Sequence, residues 1–340
     1  MRKKTPPTPL FPLRMTPHLD PRPWGGRRLE TVLGKSLPPK EQIGESWEIS
    51  AIPGKVSHVE GGPLDGMGLD EVLRRWPEET LGRLADREFP LLVKFIDAAE
   101  PLSVQVHPDD ATAQSLAGAP HGKTEAWLIL DAKPDGRVIH GLIEGTVRMD
   151  LERSASTARI GDFLRWMPIR PGSIVPVPAG TVHALLEGTL LCEVQQSSDL
   201  TYRLYDWDRK PPRPLHVPES LDSIRYEPPP DIFDLPPTTP WRRHPAPFLD
   251  MGYFSMALIE TGGAAGFDCM VEMGDGDFAL LVVLEDEGTP IEVRGFPPGE
   301  KATEPMPLRK GQSLFCPAAL EGIELLTLSG ARALWIRPGE

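Results

Sequence analysis

Proline is the strongest constraint on how this chain can fold. Forty of the 340 residues are proline. Each lacks a backbone N–H and locks φ, so it is barred from helix interiors and inner strands. What remains between them is a series of short segments. Helical periodicity is confined to three places. Gly68–Leu84 reads as a helix ended near Trp76-Pro77 and followed by another turn or two. Asp109-Asp110 caps a short helix through Leu116, with Gly118 as its stop. Met149–Pro168 reads as two short helices. Elsewhere short apolar runs lie between Gly, Pro and Asp: Leu91–Ala98, Leu102–His107, Glu125–Leu130, Ser173–Val177, Leu190–Val194, Phe278–Leu284 and Ala331–Ile336. Many short strands at close spacing predict a mainly β protein, a sandwich, jelly roll or barrel with a few inserted helices. The densest proline stretch, Tyr226–Pro247, can be neither helix nor inner strand. It divides the expectation into a domain at 1–230, a linker at 231–247 and a small β domain at 248–340. The tail has no histidine beyond His244 and reads as a packing or lid domain.

The formal charge of -13, with no Lys/Arg block to offset it, argues against a nucleic-acid surface. An anionic ligand must then be held by local cations against the overall field. Three dispersed cysteines, Cys192, Cys269 and Cys316, form no C-x-x-C and suggest neither a thiolate zinc site nor a disulfide framework. The basic N-terminus is broken by prolines and lacks an apolar h-region, and no apolar run spans a bilayer. The expectation is a cytoplasmic protein without a membrane partner, a monomer or weak homo-oligomer. Asparagine is absent, which fits heat adaptation or codon bias equally well.

Four patches carry chemistry. In "SVQVHP", Gln105 and His107 lie two apart on one strand face, opposite Leu102, Val104 and Val106. In "HGKTEAWLIL", Lys123 and Glu125 also point the same way. In "GSIVPVPAGTVHALLEG", a strand ends in a Pro178-x-Gly180 turn and returns at His183. The fourth, "LCEVQQSSDLTYRLYDW", carries Glu193, Gln195, Asp199 and Arg203. His107, Glu125 and His183 make a two-histidine, one-carboxylate set, to which Gln105 can add an amide oxygen. These donors suit a catalytic Zn²⁺; Fe²⁺, Mn²⁺ or Co²⁺ would fit the same set. A lone strand histidine is more often hydrogen-bonded filler, and His58, His140, His216 and His244 are read that way.

Gly172–His183 matches the second metal motif of the cupin superfamily. The ordered set "QVHPDD", "GKTEAW", "PAGTVHAL" and "SSDLTYRLYDW" is narrower and resembles the zinc-dependent type I mannose-6-phosphate isomerases in their short bacterial form. "PRPWGGRRL", "GESWEIS" and "PLLVKFIDA" are similar to that family too, so the likeness runs from about Pro21 to Asp208. The resemblance implies zinc on His107, Glu125 and His183, with Gln105 as a fourth donor. It implies an active-site arginine at Arg203, a lysine at Lys123 and acidic pocket positions at Glu193 and Asp199. Where longer members carry a tyrosine two residues after the histidine ligand, this chain has Leu185, so that phenol's role does not transfer.

The implied reaction interconverts mannose 6-phosphate and fructose 6-phosphate by moving a proton between C2 and C1 through a cis-enediol. A metal would act as the Lewis acid. Arg203 adds charge where the enediolate forms, unless it is a surface arginine paired with Asp199 or Asp206. Lys123 is the base if burial and the nearby metal lower its pKa, with Glu193 or a metal-bound hydroxide as alternatives; otherwise it binds the phosphate or is a solvated strand-edge lysine. Ser103 is a phosphate contact on the face of Gln105 and His107. Lys94 interrupts an apolar strand and needs an anionic partner. Two rival readings are an iron-dependent dioxygenase of cupin type and a non-catalytic sugar-binding cupin.

Overall fold

The computed structural model describes residues 8–236, 245–261, 267–274 and 276–339. Its strands form four antiparallel sheets. The sheet that matters most has seven strands. In spatial order they are Phe233–Asp234, Ser173–Val177, Glu125–Ala132, Thr189–Gln196, Leu91–Ala98, Ile43–Ile49 and His18–Gly26. A five-stranded sheet faces it: Tyr202–Tyr205, Val104–Val106, His183–Leu185, Arg137–Leu142 and Leu164–Pro168.

Period-2 alternation explains which side chains reach the space between these sheets. On Leu91–Ala98, Leu91, Val93 and Phe95 face outward into a core shared with the C-terminal strands, and Ile96 faces inward. On Thr189–Gln196, Leu190, Cys192 and Val194 face out and Leu191 in. On Glu125–Ala132, Ala126 and Leu128 face out and Trp127 and Ile129 in. The same parity puts Lys94, Glu193 and Glu125 on the inward face. Both faces of the seven-stranded sheet are therefore buried, which is why its strands read as apolar runs interrupted by single charges. The outer face of the five-stranded sheet is covered by Leu151, Ile160, Leu221 and Ile224 from the helical insertions.

A second seven-stranded sheet packs behind the first through Phe254, Met256, Phe278, Leu280, Val282 and Phe315. A four-stranded sheet closes its far side through Val271, Val293, Ile323 and Leu325. Two short N-terminal segments, Leu13–Thr16 and His58–Val59, belong to that second sheet, and Leu13–Thr16 pairs directly with Ser313–Cys316. A sequential cut at the proline-rich stretch therefore does not separate the sheets.

The predicted helices at Leu69–Arg75, Pro77–Leu81 and Asp110–Ala117 form, the last capped by Asp109 and ended by left-handed Gly118. Met149–Pro168 departs from its expectation. Helix Arg148–Ser154 and a 3-10 turn over Ala158–Phe163 are followed by a strand, Leu164–Pro168, paired with Arg137–Leu142. Cross-strand partners such as Ile139 for Trp166 outweigh the local helical preference. Within the span read as a linker, Phe233–Asp234 pairs with Ser173 and Ile174, and Phe233 and Leu235 pack on the core. His244 lies outside the described residues.

Candidate metal centre and its cavity

Register brings the singled-out side chains together. Across the seven-stranded sheet, Glu193 is flanked by Lys94 and Trp127, and Gln195 pairs with Glu125. Across the five-stranded sheet, Gln105 is flanked by His183 and Arg203. The two rows face each other around a cavity of about 270 Å³, lined by both. That is just below the usual ~300–1,000 Å³ of ligand pockets and suits a small polar substrate.

Local chain geometry supplies the aim. His183 follows the Pro178-x-Gly180 turn, where Gly180 has φ +90 and its Cβ position would lie 2.5 Å from Arg225. Only glycine fits that conformation and that contact. His107 Nδ1 lies 2.8 Å from the Leu200 carbonyl and His183 Nδ1 2.9 Å from the Thr181 carbonyl. A carbonyl only accepts, so each Nδ1 carries the proton and each Nε2 presents a lone pair. Those lone pairs converge on one carboxylate. His107 Nε2 is 3.6 Å from Glu125 Oε2, and His183 Nε2 is 3.5 Å from Glu125 Oε1. One donor atom from each residue lies within 4.8 Å of the others, and all three side chains are buried. This is a neutral-imidazole and carboxylate set with its outer bonds already made, the donor chemistry a divalent ion requires.

Burial is the first cause of the imidazole pKa values. It pushes His107 well below its ordinary value, with Lys123 and His183 adding to the effect. It takes His183 to about 4. Both rings are therefore unprotonated at neutral pH, ready to ligate.

Gln105 sits beside the cluster with its amide turned the other way. Nε2 is 3.2 Å from His183 Nε2, while Oε1 accepts from Ser103 Oγ at 3.2 Å. Ligation by Gln105 would need the two ends of the amide exchanged. Lys123 also departs from its expectation. Burial pushes its pKa down, but Glu125 and Glu193 outweigh burial and the net shift is upward. Its ammonium lies 2.5 Å from Glu125 Oε2 and 3.8 Å from Glu193, so it is held protonated rather than poised as a base.

Glu193 is different. Burial first, then the neighbouring Glu125, raises its carboxyl pKa. Its Oε2 accepts from Trp127 Nε1 at 3.0 Å, and Oε1 is buried with no hydrogen-bond partner. The Trp127 indole also donates to Glu125 Oε1 at 3.1 Å, so one N–H bridges both carboxylates. Lys94 finds the anionic partners it needs, Glu193 at 3.5 Å and Glu45 at 3.8 Å, and lies over the Trp47 ring.

Arg203 is not the surface ion pair of the rival reading. It donates to Ser103 Oγ at 3.2 Å and to the Pro214 carbonyl at 2.8 Å. Asp206 is engaged by Arg209 and Arg213, and Asp199 by Lys55. Burial, then repulsion from Arg213, lowers the Arg203 pKa.

Several cavity residues were not singled out from the sequence. Glu45, in "GESWEIS", accepts from the Trp47 indole and from Arg22. Burial would raise its pKa, but Lys94 and Arg22 outweigh it and hold it at about 2. Its signal was a Glu-x-Trp alternation like that of Glu125 and Trp127. Arg22 and Arg213 also line the cavity. Arg22 lies in the family-like stretch PRPWGGRRL but was not itself singled out, and Arg213 comes from a proline-rich segment with no pattern to mark it.

An antiparallel β fold closing over a buried His-Glu-His cluster that could hold a metal ion is the architecture of a cupin-type protein. The family model of the phosphomannose isomerase type I catalytic domain matches residues 12–151. The mannose-6-phosphate isomerase ManA of Bacillus subtilis is 33% identical over 326 residues, covering 92% of this chain and 95% of that protein. A Streptococcus mutans mannose-6-phosphate isomerase is 39% identical over 217 residues, 63% of this chain and 67% of its own length. A crystal structure of mannose 6-phosphate isomerase from Bacillus subtilis superposes with a TM-score of 0.76 at 29% identity, covering 96% of this chain and 99% of that one. The chain belongs to the type I phosphomannose isomerase family. Among the described residues, no helix is long and apolar enough to cross a membrane.

Proposed function

We propose that this protein is a metal-dependent aldose–ketose isomerase that interconverts mannose 6-phosphate and fructose 6-phosphate. The observation that carries the reading is the pair of Nδ1-anchored imidazoles whose Nε2 atoms converge on Glu125 inside a polar cavity. The names of the relatives support the substrate. So does the charge of the lining: five cations (Arg22, Lys94, Lys123, Arg203, Arg213) against four carboxylates (Glu45, Glu125, Glu193, Asp199), in a chain whose formal charge is -13. An excess of cations in so acidic a protein favours an anionic ligand.

His107, Glu125 and His183 would hold the ion, with Zn²⁺ preferred, and Gln105 would join them with its amide reversed. When bound, the ion supplies Lewis acidity toward the sugar carbonyl. Glu193 is the better base, because a raised carboxyl pKa brings it nearer neutrality. It takes the proton from C2 as the C1–C2 double bond forms, and returns it to C1 from the cis-enediol. The Lys123 ammonium stays charged and hydrogen-bonds to O1 and O2, while O1 gains its proton from solvent in the first half and O2 returns one to solvent in the second. Arg203, oriented by Ser103, stabilises negative charge on the substrate, and Asp199 meets sugar hydroxyls at the rim. The free, buried thiols of Cys192 and Cys316 suit a reducing compartment, and we place the protein in the cytoplasm.

A coupled assay on mannose 6-phosphate tests this. Activity should vanish with chelator, return with Zn²⁺, and fall ~10²–10³-fold in Arg203→Ala. Protein with stoichiometric zinc and no turnover would leave a sugar-binding cupin instead; stoichiometric iron with oxygen consumption would mark a dioxygenase.

A further inference from the structure

The three segments that carry the candidate ligands are tied by a carboxylate that is not itself in the metal cluster. Asp110 is the first residue of the helix Asp110–Ala117, three positions after His107. Its Oδ1 accepts from the Gly122 amide at 2.7 Å and from Gln196 Nε2 at 2.9 Å. Gln196 then clamps the residue between Lys123 and Glu125: its side-chain Oε1 accepts from Thr124 N at 2.8 Å, and its backbone N–H donates to Thr124 O at 3.1 Å. Thr124 Oγ1 accepts from Ala179 N at 3.2 Å, four residues before His183, and Gly180 N donates to the His107 carbonyl at 2.8 Å. The fit is close. A Cβ on Gly122 would lie 2.5 Å from the Pro108 oxygen.

The other oxygen of Asp110 faces the C-terminal half of the chain. Oδ2 accepts from Tyr253 Oη at 3.0 Å. Tyr253 sits in the turn between the strands Pro247–Asp250 and Phe254–Thr261, at the edge of the second seven-stranded sheet.

We propose that Asp110 is a positioning residue that holds the segments carrying His107, Glu125 and His183 in register, and that the C-terminal sheet acts on the metal centre through the Tyr253 hydroxyl. The proposal rests on reading that cluster as a metal centre. Loss of an outer-layer partner typically weakens metal affinity about 10–100-fold. Losing one hydrogen bond of an exposed hydroxyl is worth only about 2–5-fold.

The test is Zn²⁺ affinity by chelator competition, together with amide hydrogen exchange on the metal-free protein. Asp110→Ala is expected to weaken Zn²⁺ by about 10–100-fold and to speed exchange at Gly122 and Thr124, leaving the amides of Ala331–Pro338 unchanged. Asp110→Asn keeps the Oδ1 acceptor and should recover to within roughly threefold of wild type. Tyr253→Phe should cost about 2–5-fold. Gln196→Met removes the other arm of the clamp and should move both readouts as Asp110→Ala does, which covers a failure of the alanine variant to fold. Wild-type Zn²⁺ affinity, or unchanged exchange at Gly122 and Thr124, in Asp110→Ala and Gln196→Met would overturn the proposal. If the wild type binds no Zn²⁺, the metal reading fails separately, and amide exchange alone then decides whether Asp110 holds the loops.

Discussion

A histidine two residues after a glutamine on an apolar strand has no obvious use until its Nδ1 is seen bonded to the Leu200 carbonyl. That bond fixes the tautomer and turns His107 from filler into a donor. His183 is fixed in the same way by Thr181. Removing a ligand should cost more than removing an outer partner. His183→Ala is expected to lose metal and turnover together, by more than ~10²-fold in affinity, measured by metal analysis and the coupled assay. Trp127→Phe keeps the ring but deletes the N–H that bridges Glu125 and Glu193. It should lose about 10–100-fold in metal affinity or activity; an unchanged pair of values would show that the indole contributes packing only. The candidate ligand residues were legible because their types are few and their spacings local. Arg213 was not, since its place in the cavity depends on how an irregular segment closes over the sheet edge.

Strand parity governs the element scale. A single inward charge on Leu91–Ala98 is tolerated because the neighbouring strands place Glu193 and Glu45 against it. Lys94→Met would leave two buried carboxylates without that cation, and breaking a buried pair typically costs ~3–5 kcal/mol. Urea unfolding should show a loss of that order; a loss under ~1 kcal/mol would mean that Arg22 and Lys123 suffice. The parity of the inner strands could be read directly, because alternation is a local property. The strand Leu164–Pro168 could not, because its partner strand decides its conformation, not its own composition.

At the scale of the whole molecule, stability is expected to depend on pH and on a bound metal. His140 is fully buried, donates from Nε2 to the Pro176 carbonyl at 2.7 Å, and has a partnerless Nδ1. Burial, ahead of all other causes, lowers its pKa to about 4 from 6.5. Above pH 6.5 both folded and unfolded chains keep it neutral, and it adds no pH dependence. Between pH 6.5 and about 4 the unfolded chain binds a proton that the folded one refuses, so stability falls as pH falls. Metal-free His140→Gln should lack this term, with a difference on the order of 3 kcal/mol between the pH profiles of the two unfolding free energies. Zinc at about 1,000 times its Kd should stabilise the native state by ~4 kcal/mol, seen as a higher Tm that chelator reverses.

Composition and spacing by themselves pointed to a chain that folds from short strands and to two histidines and a glutamate whose donor chemistry suits a metal. Those are statements about residue type and local period, and they need no third dimension. Tertiary structure alone decided which end of the Gln105 amide faces His183, that Lys123 stays charged between two carboxylates, and that the strand Leu13–Thr16 pairs with Ser313–Cys316. Each of those depends on groups distant in sequence brought within a few ångströms, where burial and charge compete and only geometry says which prevails.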